Sequence, residues 1–225
     1  MATHPIHALA IHVCADVETV GLCRSWPPPV GSLDTLERAQ RICELAGIAE
    51  QHTLAGDQAT AAALRDALTF AATTLRDGGL LVVSFAGHTE RGDGPIDTAQ
   101  WCLVGGGLTL AQLADDLARL PRAARIAIIA DTCYAAAITA VLHGPQPAVV
   151  IAGCDEDQTM IERARSEFVV RLEDFVRSGP PAGSPPGALD ALRDTLEADT
   201  PDCERPVVWT NAAGPWPHRV IAEMP

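Results

Sequence analysis

The chain contains no lysine: all 16 of its basic residues are arginine, set against 29 acidic ones for a formal charge of −13. No basic run exists to neutralise phosphates, which excludes a protein that binds nucleic acid through its backbone. The acidic balance suits a cationic partner or substrate, with a generally acidic surface as the plainer reading. C-x-x-C pairs are absent too. The seven cysteines, at 14, 23, 43, 102, 133, 154 and 203, are odd in number and scattered, so neither a disulfide framework nor a zinc ribbon is expected. That usage points to a reducing compartment, the cytoplasm. No apolar run approaches the ~18 residues of a membrane span, and MATHPIHALAIHVC lacks a basic n-region and a cleavage site, so neither a span nor export is expected. No internal repeat occurs, and GPPAGSPPG (179–187) is too short to separate domains. A single domain over 1–225 follows. Lysine-free composition rich in Ala, Arg and Pro suggests a GC-rich genome.

What is present is an alternation of apolar runs and helical patterns. HALAIHVC (7–14) reads as a first strand, and Trp26-Pro27-Pro28-Pro29 as a surface loop. Ser32 or Asp34 caps a helix over about 33–46, and Gly47 stops it. A short strand at His52-Thr53-Leu54 precedes a helix over 58–76, ended by Asp77-Gly78-Gly79. GLLVVSFAGH (79–88) is the next strand. A polar loop (89–95), a small hairpin arm at Trp101–Val104 and a helix from Thr109 to about 119 lead to the strand IAIIADTCY (126–134). A short helix over 134–142, a strand at Ala148–Ala152, helices near 160–177 and 188–197, and a last strand Pro206–Trp209 complete the pattern. Strand and helix in alternation call for a parallel sheet with right-handed crossovers, an α/β fold.

Continuous apolar runs are the mark of strands buried on both faces, and in open α/β sheets ligands gather at the carboxyl ends of the strands. Two tips carry chemistry: Cys133, after Asp131-Thr132, and His88, after Gly87. On neighbouring parallel strands they would meet, as in a Cys/His nucleophile pair. A helix opening at Tyr134 would aim its amides at the thiol and, with the imidazole, favour the thiolate. A small buried cysteine and a satisfied loop histidine are the bland alternatives. Other thiol and hydrolase chemistry fits less well. Residue 139, where a phosphatase needs Arg, is Thr; no G-x-S-x-G elbow exists; Gly105–Gly107 read as a turn; and neither Cys154 with Asp155 nor His4 with His7 makes a metal cluster.

SFAGHTER (84–91) resembles the strand-His-Gly motif of caspase-like peptidases, and DTCY (131–134) resembles the D-x-C element of metacaspases. The interval from 88 to 133 is close to the roughly 50 residues typical of caspases, and GCDEDQT (153–159) is similar to a metacaspase signature after the next strand. Together the matches and element order cover about residues 7–213. The resemblance implies a caspase-like three-layer sandwich, a mostly parallel six-stranded sheet with helices on both faces. It implies a cysteine endopeptidase in which Cys133 attacks the scissile carbonyl, the N–H groups of Cys133 and Thr89 hold the oxyanion, and His88 protonates the leaving amine. Thr89 departs from the family's usual Gly. Animal caspases use the residue two before the nucleophile to bind a substrate aspartate, whereas Asp131 here would repel that charge and suit Arg or Lys at P1, the residue before the cleaved bond. Asp34 matches an acidic metacaspase position, with an N-cap as its equal alternative, and Asp16 is a further candidate.

No cofactor is expected, and no acidic cluster matches the calcium site of some metacaspases. Expected partners are a protein or peptide substrate and an upstream activating protease or regulator, with no nucleic acid and no membrane. The span 134–147 is too short for a long linker, so the enzyme is expected to work as one chain; Arg91, Arg163 and Arg165 are candidate autocleavage positions. The family suggests a bacterial stress, cell-death or antiviral effector. Two other readings stand beside this one: an inactive pseudoprotease that captures a basic peptide at the same edge, and a flavodoxin-like regulator in which the Cys and His are incidental.

Overall fold

Runs such as IAIIA and AVVIA can be buried on both faces at once, and they form interior strands of the sheet. The computed structural model describes residues 6–15, 19–20, 25–26, 31–91, 94–159, 166–179, 189–198 and 205–212. In chain order the elements are β1 Ile6–Cys14, β2 Thr19–Val20, β3 Ser25–Trp26, α1 Ser32–Leu45, β4 Glu50–Ala55, α2 Ala61–Thr74, β5 Leu75–Ala86 and β6 Thr89–Glu90. They continue with β7 Gln100–Leu103, β8 Gly106–Thr109, α3 Leu110–Leu117, β9 Arg125–Asp131, β10 Ala148–Ala152, α4 Glu167–Ser178, α5 Leu189–Glu197 and β11 Val207–Thr210.

Six strands form the main sheet in the order β11-β10-β9-β5-β1-β4. All neighbours are parallel except β11, which runs antiparallel to β10 along one edge. Strand alternation divides the side chains between two cores. Leu9, Ile11, Val83, Phe85, Ile126 and Ile128 pack against Leu64 and Leu68 of α2 and Leu110 and Leu113 of α3. Ala10, Val82, Ala127, Ile129, Val149 and Ile151 pack against Ile42 of α1, Phe168 and Leu172 of α4 and Leu192 of α5. Each Leu, Ile or Phe taken out of water contributes about 1.5–3 kcal/mol, against a net domain stability of about 5–15 kcal/mol. Neither helix layer is dispensable, and the fold is the expected α/β sandwich of three layers.

Several elements differ from their sequence signals. β5 begins at Leu75, so Asp77-Gly78-Gly79 lies inside a strand: it pairs with β1 across a register shift between Ile6 and Ala8, and Gly78 takes up the irregularity at φ 76°. The stretch 134–142, expected as a helix, is a 3-10 turn, Ala135–Ala140, entered through Tyr134 at φ 53°. The N-cap position of α1 is Gly31, in the left-handed region, and Ser32 and Asp34, the expected caps, lie within its first turn instead. α2 and α3 take caps from Thr60 and Thr109, the latter in a full capping box with Gln112. Pro27–Pro29, the residues 160–165 that were expected to open α4, and most of the loop 179–187 lie outside the described residues. No described helix is long and apolar enough to cross a membrane.

Candidate active site

Parallel pairing sets where the two strand tips end. β5 and β9 are direct neighbours, and the last pair in register is Ala86 with Asp131. His88 and Cys133 each lie two residues beyond that pair, so both follow the carboxyl ends of neighbouring strands on one edge of the sheet. The tips are also joined directly: the hydroxyls of Thr89 and Thr132 share a hydrogen bond of 2.9 Å, and both residues are buried.

The His88 side of the site is built on packing. Phe85 stacks on Trp101 with ring centroids 4.3 Å apart and planes 4° from parallel. Trp101 belongs to the small sheet β6-β7-β8, whose first strand starts at Thr89. Between Phe85 and His88 the chain must turn close to that ring. A Cβ on Gly87 would lie 2.9 Å from Phe85 Cζ and 3.2 Å from Ala15 Cβ, so this step of the Gly-His motif requires glycine. Cys102 N–H donates to the His88 carbonyl at 2.8 Å. The Thr89–Trp101 pair is therefore of the non-hydrogen-bonded kind, and the Thr89 N–H lies outside the β6–β7 ladder. The His88 side chain itself is buried.

The Cys133 side is braced by the third motif, GCDEDQT. Gly153 N–H donates to Ala130 O, Tyr134 N–H to Gln158 O and Ala136 N–H to Cys154 O, while Cys154 Sγ donates to Thr132 O at 3.2 Å. These bonds explain the short 3-10 turn. They also correct the expectation that a helix start serves the Cys133 thiol, because the Tyr134 and Ala136 amides are bonded to carbonyls of 153–158. The N–H groups of Ala135 and Tyr134 favour a thiolate at Cys154 instead, but burial outweighs them and pushes that thiol up to about 12. Burial does the same to Cys43 and Cys102. Among the described cysteines all five are free, and Cys133 alone is not buried.

The acidic candidates separate. Asp131, partly exposed at the end of β9, accepts from Thr35 Oγ1 on Oδ2 at 2.5 Å and from Ser166 Oγ on Oδ1 at 2.9 Å. Asp34, in the first turn of α1, is bonded through Oδ2 to Arg38 Nε at 2.8 Å. Asp16 lies outside the described residues, as do Arg163 and Arg165; Arg91 donates to Glu156 O. Sequence reasoning missed Thr35 and Ser166, since a hydroxyl on a helix carries no periodic signal. A second histidine, His12, is fully buried in β1 between Ser84 Oγ and Gln51 Oε1, each at 2.8 Å, and burial lowers its pKa. It is a satisfied core residue beneath the site. Among the described residues no group of three or more His, Cys, Asp or Glu could hold a metal ion.

The helices that hold Asp131 are themselves clamped. Glu173 of α4, 3 % exposed, binds Arg38 NH1 at 2.7 Å, Arg41 Nε at 3.2 Å and Arg177 NH2 at 2.5 Å. Burial pushes the Glu173 carboxyl up, but the bonds to Arg41 and Arg38 outweigh it, and the net shift is downward from 4.5. A carboxylate whose folded pKa is depressed adds stability above its unfolded pKa and loses it as pH falls through the folded one. Glu173→Ala is expected to cost about 3 kcal/mol at pH 7. In thermal melts the gap between variant and wild type should narrow as pH falls below 4.5, the ordinary value of the group. A gap that stays constant from pH 7 to 3.5 would contradict this assignment.

No family model matches the chain, and no curated protein does. Solved structures do match. The protein GSU0716 from Geobacter sulfurreducens superposes with a TM-score of 0.73 at 18% identity, over 92% of this chain and 96% of that one. At that identity the likeness establishes the α/β fold and leaves function to the site.

Proposed function

We propose that the protein is a cysteine endopeptidase of the caspase and metacaspase type, with Cys133 as nucleophile, His88 as general acid and base, and a preference for arginine at P1. The observation that carries the reading is that His88 and Cys133 each follow by two residues the Ala86–Asp131 pair that ends β5 and β9, with the Thr89–Thr132 bond tying the two tips together. Cys133 Sγ adds to the scissile carbonyl as its proton passes to His88. The Thr89 and Cys133 N–H groups receive the negative oxygen. The C–N bond then breaks with the proton delivered to the leaving amine, and His88 next draws a proton from water, which hydrolyses the thioester. With the helix-start amides largely engaged elsewhere, the imidazole carries the task of drawing the proton from the thiol.

The partly exposed carboxylate at the end of β9 supports a basic P1. Asp131 supplies the charge; Asp34 contributes less, because Arg38 already neutralises it. Free cysteines fit a reducing interior, so we place the enzyme in the cytoplasm, working as a single domain without cofactor. A bacterial stress, cell-death or antiviral role rests on the family likeness of the three motifs.

The test is a panel of fluorogenic peptides differing only at P1. Hydrolysis of the Arg peptide, blocked by iodoacetamide, is the expected result. Preference for Asp would overturn the specificity. Binding of the Arg peptide without cleavage would mark the chain as a peptide-capturing module that lacks turnover.

A further inference from the structure

The two hydroxyls on Asp131 are not where helices ordinarily place them. A threonine within a helix commonly bonds its own i−3 or i−4 carbonyl, as Thr69, Thr73 and Thr74 of α2 do. Thr35 instead sends its hydroxyl across the layer to Asp131 at the end of β9, and it is 4 % exposed. Ser166 is the N-cap of α4: its Oγ accepts from Val169 N–H and donates to the other oxygen of Asp131. One hydroxyl therefore stands on each carboxylate oxygen, and the two come from different helices. Rotation of the carboxylate about its Cβ–Cγ bond would break both bonds, so the plane of the group is fixed.

A fixed plane matters differently to the two basic side chains. A guanidinium is flat and binds a carboxylate through two parallel N–H···O bonds, so it depends on the carboxylate's orientation. A lysine ammonium is a point charge with rotatable donors, which follows a carboxylate in any orientation. We propose that Thr35 and Ser166 are positioning residues that hold the Asp131 carboxylate in one plane and thereby make the P1 recess select arginine over lysine. The inference rests on the peptidase reading. It assigns α1 a separate duty as well: its first turn supplies an orienting hydroxyl at Thr35, while the neighbouring acid, Asp34, is held by Arg38.

The experiment compares kcat/KM for two peptides that differ only in Arg or Lys at P1, across wild type, Thr35→Val, Thr35→Ser and Ser166→Ala. Wild type should favour Arg by at least about 10-fold, the scale of one good bidentate contact. Thr35→Val keeps the shape of the side chain and loses the donor. It should bring the ratio to within about 3-fold of unity, mainly through a higher KM for the Arg peptide. Thr35→Ser should restore the preference. A loss of stability alone lowers both rates together and leaves the ratio where it was. Ser166→Ala also removes a cap from α4, so its melting temperature is read alongside, and should Thr35→Val not fold, Ser166→Ala reports the same ratio.

An unchanged ratio in the valine and alanine variants, or no recovery with serine, would overturn the assignment. Equal cleavage of both peptides by wild type would overturn it while leaving the peptidase reading intact. Failure of wild type to cleave either peptide would overturn both.

Discussion

Cys133→Ala is expected to lower kcat for an Arg-ended peptide by at least about 10³-fold, because among the described cysteines Cys133 alone is not buried. The remaining described cysteines are buried, and burial pushes the thiols of Cys43, Cys102 and Cys154 up to about 12. None of those three substitutes for it. The fold should survive, since Cys133 is partly exposed and sits beyond the last strand pair. Steady-state kinetics beside a thermal melt separates the outcomes. Retained cleavage with an unchanged melting temperature would remove Cys133 from the chemistry.

Asp131→Asn is expected to reduce kcat/KM for the Arg peptide by about 10²-fold, the scale of removing one partner from a desolvated charge pair. A peptide with a neutral P1 residue should lose no more than about 3-fold. The comparison matters because Asp131 also ties β9 to α1 and α4 through Thr35 and Ser166. Asparagine keeps one accepting oxygen, so a purely structural loss would lower both substrates in parallel. Equal falls for the charged and neutral peptides would make Asp131 a helix clasp and no part of the P1 recess.

Much of this arrangement was readable before any coordinates. The apolar stretches GLLVVSFA (79–86) and IAIIA (126–130) read as strands buried on both faces, and each leads into a candidate residue, His88 or Cys133. Their adjacency in the sheet followed the expected element order, whereas the antiparallel direction of the last strand had no signal in the sequence. Local propensity misled where tertiary bonds decide. YAAAITAVL favours helix by composition, yet Tyr134 is drawn into the left-handed region and its N–H to Gln158 O, so the turn stays short. Asp77-Gly78-Gly79 resembles a helix stop, but pairing with β1 on either side of it, at Leu75 and from Leu80, keeps it within β5. The GCDEDQT motif was visible only as a likeness; its physical work, holding the Cys133 turn through Gly153, Cys154 and Gln158, needs the fold to be seen. Thr35 and Ser166 were not legible at all, because each meets Asp131 across a layer and far along the chain.

The central claim is that one thiol and one imidazole act together at the rim where β5 and β9 end. A crystal structure of the protein treated with an Arg-chloromethylketone peptide tests it most directly. The reaction expels chloride and leaves a thioether, and the account predicts that bond at Cys133 Sγ, with His88 beside the sulfur, the ketone oxygen at the Thr89 N–H and the guanidinium on Asp131. A label on any other cysteine, or an imidazole turned to the far side of the sheet from the modified thiol, would contradict it.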